Sequence, residues 1–369
     1  MEDRKYKDLL LSKTIDNLRF PLIIGVLFIH SHSSIMITSE EVINCVSNIS
    51  VYNFFSTLFS QIIGRVSVPL FFFISGYLFF FHPQYFGVRV YRTKLKSRLN
   101  SLLIPYLFWN ILFLFIYYII SCLPTLRQWF DGTEYNLNYI LSNLWGRSTT
   151  TDEMTYPGVY QFWFIRDLMF VSVLSPLIYW IVTKTQLFGV LLIGLAWYLG
   201  YSIPYIGVRG LSTVSVFYFL FGAWFSINRK NLLVEFGKLR SIPFFCYPLL
   251  VMIDLYTKNN DCNIYIHKIG IIIGIVFWFG IISHLLERRK VKIYPFLSSA
   301  SFFVFAIHEP WLLSQVKKIL FALLHPENDF LLTFLYFFIV GIVLIVSLSL
   351  YYLLKSISPR FLAFIAGGR

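Results

Sequence analysis

Histidine, arginine and glutamate side chains stand inside stretches of this sequence that are otherwise fit for hydrocarbon. The run LRFPLIIGVLFIHSHSS, residues 18–34, carries Arg19, His30 and His32. GRVSVPLFFFISGYLFFF carries Arg65, QFWFIRDLMF carries Arg166 beside Asp167, and SFFVFAIHEPW carries His308 and Glu309. An ionisable group near the bilayer centre costs about 2.5 to 3.5 kcal/mol on insertion scales, so each needs a reason. A neutral imidazole is poised for proton transfer near pH 7, and a guanidinium offers a planar fork to a phosphate or a developing oxyanion. Those types together suit a reaction in which a hydroxyl loses its proton while charge builds on an oxygen. A structural role stays open for each residue singly: Arg65 with Glu309, or Arg166 with Asp167, as ion pairs, and His308 as a satisfied core histidine.

Spacing narrows the choice. At about 100° per residue, the steps from Arg19 to His30 leave a net rotation of about 20°, so the two share a face, with the Arg about 16 Å away along the axis. Ser33 and Ser34 follow on that face, whereas His32 points elsewhere. By helical rise, His30 and His308 lie roughly 18 Å from the inner membrane face, and Arg65 roughly 17 Å and Arg166 roughly 9 Å from the outer one, which places polar groups from remote segments in one broad layer. The expectation is that His30 and Arg65 share one enclosed chamber. Pro69 cannot donate to the carbonyl of Arg65, nor Pro310 to that of Ala306, and broken helices of this kind persist in membranes where they line a cavity or are repaired by neighbours.

The elements that must position these residues follow from composition. The chain has 369 residues, 57% hydrophobic and 20% aromatic, with 13% charged, against about 25% in soluble proteins. Its mean hydropathy is +0.68. This is the profile of an integral membrane protein. About ten windows are long and apolar enough to cross, approximately 18–37, 54–81, 102–123, 160–182, 187–204, 211–228, 241–257, 264–286, 296–320 and 330–354. Most of the 31 Lys and Arg then fall in connectors on one side, the cytoplasmic side by the positive-inside rule, with both termini there. Lys317 and Lys318 count among the few on the outer side. The expected fold class is an all-α membrane protein: one bundle of about ten transmembrane helices, residues 1–369 forming a single transmembrane domain with no separate soluble domain, in the plasma (bacterial inner) membrane. The basic N-terminal stretch reads as the approach to a retained first span rather than a cleaved signal.

The net charge of +13 sits mainly in these short connectors, which argues for topogenic and lipid-headgroup roles and against nucleic acid. One basic connector, GVRVYRTKLKSRLN, has a sharper reading: Arg92 and Lys96 as candidates to hold the phosphates of a cytoplasmic donor. The long outer connector, about 124–159, suits a variable surface loop or part of a substrate entrance. Cys45, Cys122, Cys246 and Cys262 have no metal-ligand spacing and read as thiols, with a Cys45–Cys262 bridge as the alternative. No metal site is expected.

Four motifs, in order along essentially the whole chain, resemble the acyltransferase-three family of integral membrane acyltransferases: DNLRFPLIIGVLFIH, RVSVPLFFFISGYL, FWFIRDL and FFVFAIHEP. The resemblance implies about ten helices, an acyl-CoA donor such as acetyl-CoA, and a sugar or polysaccharide hydroxyl as acceptor. It carries functional weight to Arg19, His30, Arg65, Arg166, His308 and Glu309. The expected chemistry has His30 as base and Arg65 at the oxyanion or the donor's phosphates. His308 and Glu309 would orient His30 or bind the sugar, with Arg19 and Arg166 in support. Midplane charges and proline-broken helices also describe a multi-span transporter of a sugar-like or anionic metabolite, although no paired repeat is visible. A third reading is an inactive scaffold that presents the outer loop.

Overall fold

The computed structural model describes residues 2–33, 50–81, 86–123, 136–146, 156–201, 211–239, 241–288, 290, 292, 294–326 and 328–368. Among these residues every regular element is helical. The apolar windows fall on helices, and length then separates them. Five are long and apolar enough to cross a membrane: Val51–Phe80, Val88–Ser121, Asn263–Glu287, Pro295–Leu324 and Asp329–Ile357. The number rises to seven if the two bent pairs, Tyr160–Val173 with Ser175–Thr185 and Leu232–Lys238 with Ser241–Tyr256, are each one span. Leu187–Leu199 and Thr213–Ile227 are shorter apolar helices. The first, α1 (Glu2–Ser33), has 32 residues and a charged N-terminal half. Hydropathy windows also run across breaks. The 160–182 window bends by 62° next to Pro176, which cannot donate to the preceding turn.

The chain packs as two compact units: residues 1–81, 198–200 and 218–352 form the first, and 82–197, 201–217 and 353–369 the second. In the first, α1 is followed by α2 (Ser50–Ser56), a π-helical turn over Thr57–Ile63, a 3-10 turn over Gly64–Val66, and α3 (Ser67–Phe80). The 3-10 turn ends three residues before Pro69, where the missing N–H interrupts the regular ladder. The carboxylate of Asp329 accepts from the backbone N–H groups of Val51 and Tyr52 at 2.9 and 2.8 Å, capping α2 and tying it to α16 (Asp329–Ile357). Around that tie Tyr52, Leu332 and Tyr336 are buried together against Phe28, Phe59 and Phe337.

Two devices lock α1 to the turn that follows α2. Ser60, in the π turn, donates to the backbone carbonyl of Phe28. Gly25 and Gly64 let the backbones meet: a Cβ on Gly64 would lie 2.8 Å from the Gly25 carbonyl oxygen and 2.7 Å from that of Phe59. These are main-chain atoms and cannot swing aside. Gly25 is one turn and a half before His30, and Gly64 immediately precedes Arg65, so this contact sets how near the imidazole and guanidinium stand.

The rest of the first unit comprises most of α10 (Thr213–Ile227), α11 (Leu232–Lys238), α12 (Ser241–Tyr256), α13 (Asn263–Glu287) and α14 (Pro295–Ile307). A π turn over His308–Leu312 and α15 (Leu313–Leu324) follow α14. The second unit holds α4 (Val88–Arg98), which passes through a π turn at Leu99–Leu103 into α5 (Ile104–Cys122), α6 (Leu137–Trp145), α7 (Trp163–Val173), α8 (Ser175–Thr185), nearly all of α9 (Leu187–Leu199), and α17 (Pro359–Ile365).

The Gly64 contact yields a stability prediction. Gly64→Ala should cost about 1 to 3 kcal/mol, the usual penalty for an added group in a packed interface, and lower the unfolding midpoint in detergent. Gly237→Ala, where a Cβ meets nothing within 4 Å, should leave the midpoint unchanged or raise it slightly.

Candidate functional site

α1 is a long helix whose last turns bring His30, Ser31 and His32 to one end of the first unit. There the rings of His30 and His308 lie 5.2 Å apart, centroid to centroid, at an interplanar angle of 45°. The backbone turns non-helical at Glu309 (φ −134°, ψ 156°) next to Pro310, which lets one short segment present both an imidazole and a carboxylate. His308 is fully buried and Glu309 is 3% exposed. The Nδ1 of His308 donates to the Phe305 carbonyl at 2.7 Å, which puts the ring proton on Nδ1 and a lone pair on Nε2. That Nε2 is buried and has no hydrogen-bond partner among the described residues.

Arg65 is the charged member of the group. The charge of its guanidinium reaches both His30 and His32. His30 is only partly buried and Arg65 is exposed. Exposure thus falls from Arg65 toward the buried His308–Glu309 end.

The sequence reading missed Lys317. Counted there as an outer connector residue, it stands inside α15, 6% exposed. Its Nζ donates to the Ser31 carbonyl at 3.4 Å, satisfying one of the acceptors that the end of a helix leaves open. Lys317 also interacts electrostatically with Glu309 and with His32. Ser314 donates to Glu309 Oε2 at 3.2 Å. The visible signal was a lysine inside the apolar run WLLSQVKKILFALL. His32 belongs here too, although helical phase separates it from His30: its Nε2 lies 2.9 Å from the amide nitrogen of Gln61 in the π turn.

The other sequence candidates lie elsewhere. Arg19, partly exposed, pairs with Asp16 at 3.3 Å on its own helix, about 16 Å along the axis from His30. Ser33 ends α1, and Ser34 and Cys45 lie outside the described residues. Arg166 is in the second unit, 4% exposed, and donates to the Trp145 carbonyl at 2.8 Å and to Asp167 at 3.3 Å. Asp167 in turn accepts from the Ser212 backbone at 3.1 Å. These bonds pin α6 and the start of α10 to α7, the structural alternative raised for this pair. Arg92 and Lys96 are exposed on α4, four residues apart on one face. Most of the acidic outer connector lies outside the described residues.

A family model described as an acyltransferase domain matches residues 12–353. The chain belongs to the acyltransferase-three family. It is also similar to a succinoglycan biosynthesis protein, ExoH, from Rhizobium meliloti (strain 1021), with 25% identity over 366 residues that cover 97% of this chain and 92% of that protein. Among solved structures none matches significantly. An acyltransferase with several apolar helices long enough to cross a bilayer is thus what sequence and structure agree on.

The Lys317–Glu309 contact can be checked by a double-mutant cycle in detergent. Lys317→Met and Glu309→Gln should each destabilise the chain, by up to about 3 to 5 kcal/mol if the pair behaves as a buried ion pair. The double variant should lose at least 1 kcal/mol less than the sum. Losses that add to within about 0.5 kcal/mol would show that the two side chains do not communicate.

Proposed function

We propose that the protein is a membrane O-acyltransferase that moves an acyl group, acetyl being the simplest, from acyl-CoA to a hydroxyl of a cell-surface sugar or polysaccharide precursor. The proposal includes about ten membrane crossings with both termini cytoplasmic, in the plasma membrane. The observation that carries it is the approach of two imidazoles, His30 and His308, from opposite ends of the sequence, within the field of Arg65. Membership of an acyltransferase family and likeness to a succinoglycan biosynthesis protein support the reaction type and the class of acceptor.

In this reading His30 takes the proton of the acceptor hydroxyl as its oxygen bonds to the thioester carbonyl carbon. Arg65 faces the oxyanion that forms and needs no reorganisation as the charge appears. The C–S bond then breaks, and the leaving thiolate takes the proton back from His30. Hydroxyl and thioester are consumed, ester and thiol are made, and the enzyme ends as it began. His308 steadies the base, since the bond from Nδ1 to Phe305 holds its ring while the Nε2 lone pair remains available to a protonated His30. Arg92 and Lys96 are the proposed contacts for the donor's phosphates, and Arg19 and Arg166 support the fold around the reaction.

Transfer of radiolabelled acetyl from acetyl-CoA to polysaccharide in isolated membranes tests this. His30→Ala should reduce transfer by at least about 10²-fold, the usual worth of a positioned base, with the protein's membrane abundance unchanged. Arg65→Lys keeps the charge and loses the planar fork, so it should reduce transfer at least about tenfold. Near-normal turnover in either variant would remove that residue from the chemistry. Transport of a saccharide without acylation would remove the enzyme reading altogether.

A further inference from the structure

Apart from the group around His30, the first unit holds a second imidazole backed by a carboxylate. Asp254, in the last turn of α12, is 2% exposed. Its Oδ2 lies 2.6 Å from Nδ1 of His267, in the first turns of α13. The Asn263 amide donates to the other oxygen of Asp254 at 2.8 Å and to its backbone carbonyl at 2.9 Å. Lys258 Nζ stands 3.9 Å from Oδ1. The connection between α12 and α13 is folded around this one carboxylate, which therefore cannot turn away from the ring.

A clamp between two helices would need no more than that. Two observations go further. First, the His267 side chain is 19% exposed, and its Nε2 accepts no hydrogen bond among the described residues. Second, Asp254 and His267 line a cleft with room for about one water-sized group, walled otherwise by Ile62, Val66, Tyr247 and Ile271. Ile62 and Val66 flank Arg65 on the irregular segment after α2. The Arg65 charge acts on Lys258, the lysine beside Asp254. The cleft thus shares two wall residues with the segment that carries Arg65.

The chemistry of the cleft is that of a hydroxyl on a carbon ring. A carboxylate that accepts Nδ1–H leaves Nε2 as a lone-pair acceptor. Apolar walls, one imidazole and room for about one water-sized group suit a single O–H that enters the cleft while its carbon ring stays at the mouth. We infer that His267, held by Asp254, binds a hydroxyl of the sugar acceptor next to the one that is acylated, with Asp254 as its positioning residue. The inference rests on the acyltransferase reading above and adds where the acceptor is gripped.

The test uses the full chain in proteoliposomes, with acetyl-CoA as donor and oligosaccharide released from the producing cell's polysaccharide as acceptor. His267→Ala should raise the acceptor KM about tenfold, the loss of roughly one hydrogen bond, while the donor KM and kcat stay within about twofold. His267→Gln, whose amide oxygen can accept, should recover part of the loss. Asp254→Asn should mimic His267→Ala, because an amide at that position donates to Nδ1 and moves the ring proton to Nε2. An unchanged acceptor KM in His267→Ala would overturn the inference. So would a fall in kcat and unfolding midpoint with no shift in acceptor KM, the signature of a clamp. A wild-type chain that transfers nothing from acetyl-CoA would sink the function proposed above and leave binding as the measure. The oligosaccharide should then raise the unfolding midpoint of the wild type and not of His267→Ala, and failure of that difference ends the inference.

Discussion

The candidate site depends on a backbone contact with no side chain in it. Gly25 and Gly64 bring α1 against the turns around Arg65 so closely that a methyl on Gly64 would strike main-chain oxygens. In lipid, helices gain no hydrophobic energy from meeting one another, so close approach of small residues and hydrogen bonds between helices must supply the attraction. Both operate here within a few residues, since Ser60 donates to the Phe28 carbonyl on the adjoining turn. Widening the crossing would move the base and the guanidinium apart together.

Proline supplies the second constraint. The irregular segments at 57–66, 99–103 and 308–312 precede or contain Pro69, Pro105 and Pro310. A proline removes one donor and pushes against the carbonyl four residues back, and the chain answers with wide or tight turns that shift register. At two of the three the shifted register carries a charged or imidazole side chain of the candidate site, Arg65 or His308 with Glu309. A regular helix would present these at fixed 100° steps. The break gives each an orientation that its neighbours do not dictate.

That is also why the sequence was legible in part. The helical character and the family could be read because apolar runs with isolated polar groups are a strong signal in lipid, and two of those groups, His30 and His308, do come together. The number of crossings could not be read to the same degree, because a hydropathy window does not see the 62° bend at Leu174 or the short reach of Leu187–Leu199. His32 was set aside on helical phase, yet Gln61 reaches it from another helix. Lys317 was assigned to a connector because charge was counted by position along the chain. Its place was decided by the Ser31 carbonyl, remote in sequence, and by Glu309 on the turn before its own helix. Arg166 looked equivalent to Arg65 as text, and only its bonds to Trp145 and Asp167 show a guanidinium occupied in holding helices.

The two buried ionic arrangements differ in what stability can explain. Arg166 spends donors on a carbonyl and a neighbouring carboxylate that is itself bonded to the Ser212 backbone, so the charge closes a network that pins three helices. Lys317 donates to the Ser31 carbonyl at 3.4 Å, and Glu309 accepts from Ser314 at 3.2 Å. Desolvating two such charges costs several kcal/mol each, and apolar residues of similar volume are often as stable or more so. Packing energy would therefore favour a leucine and a methionine at 309 and 317. A lysine and a glutamate beside a pair of imidazoles fit better as a local field, one whose lysine reaches His32 two residues from His30.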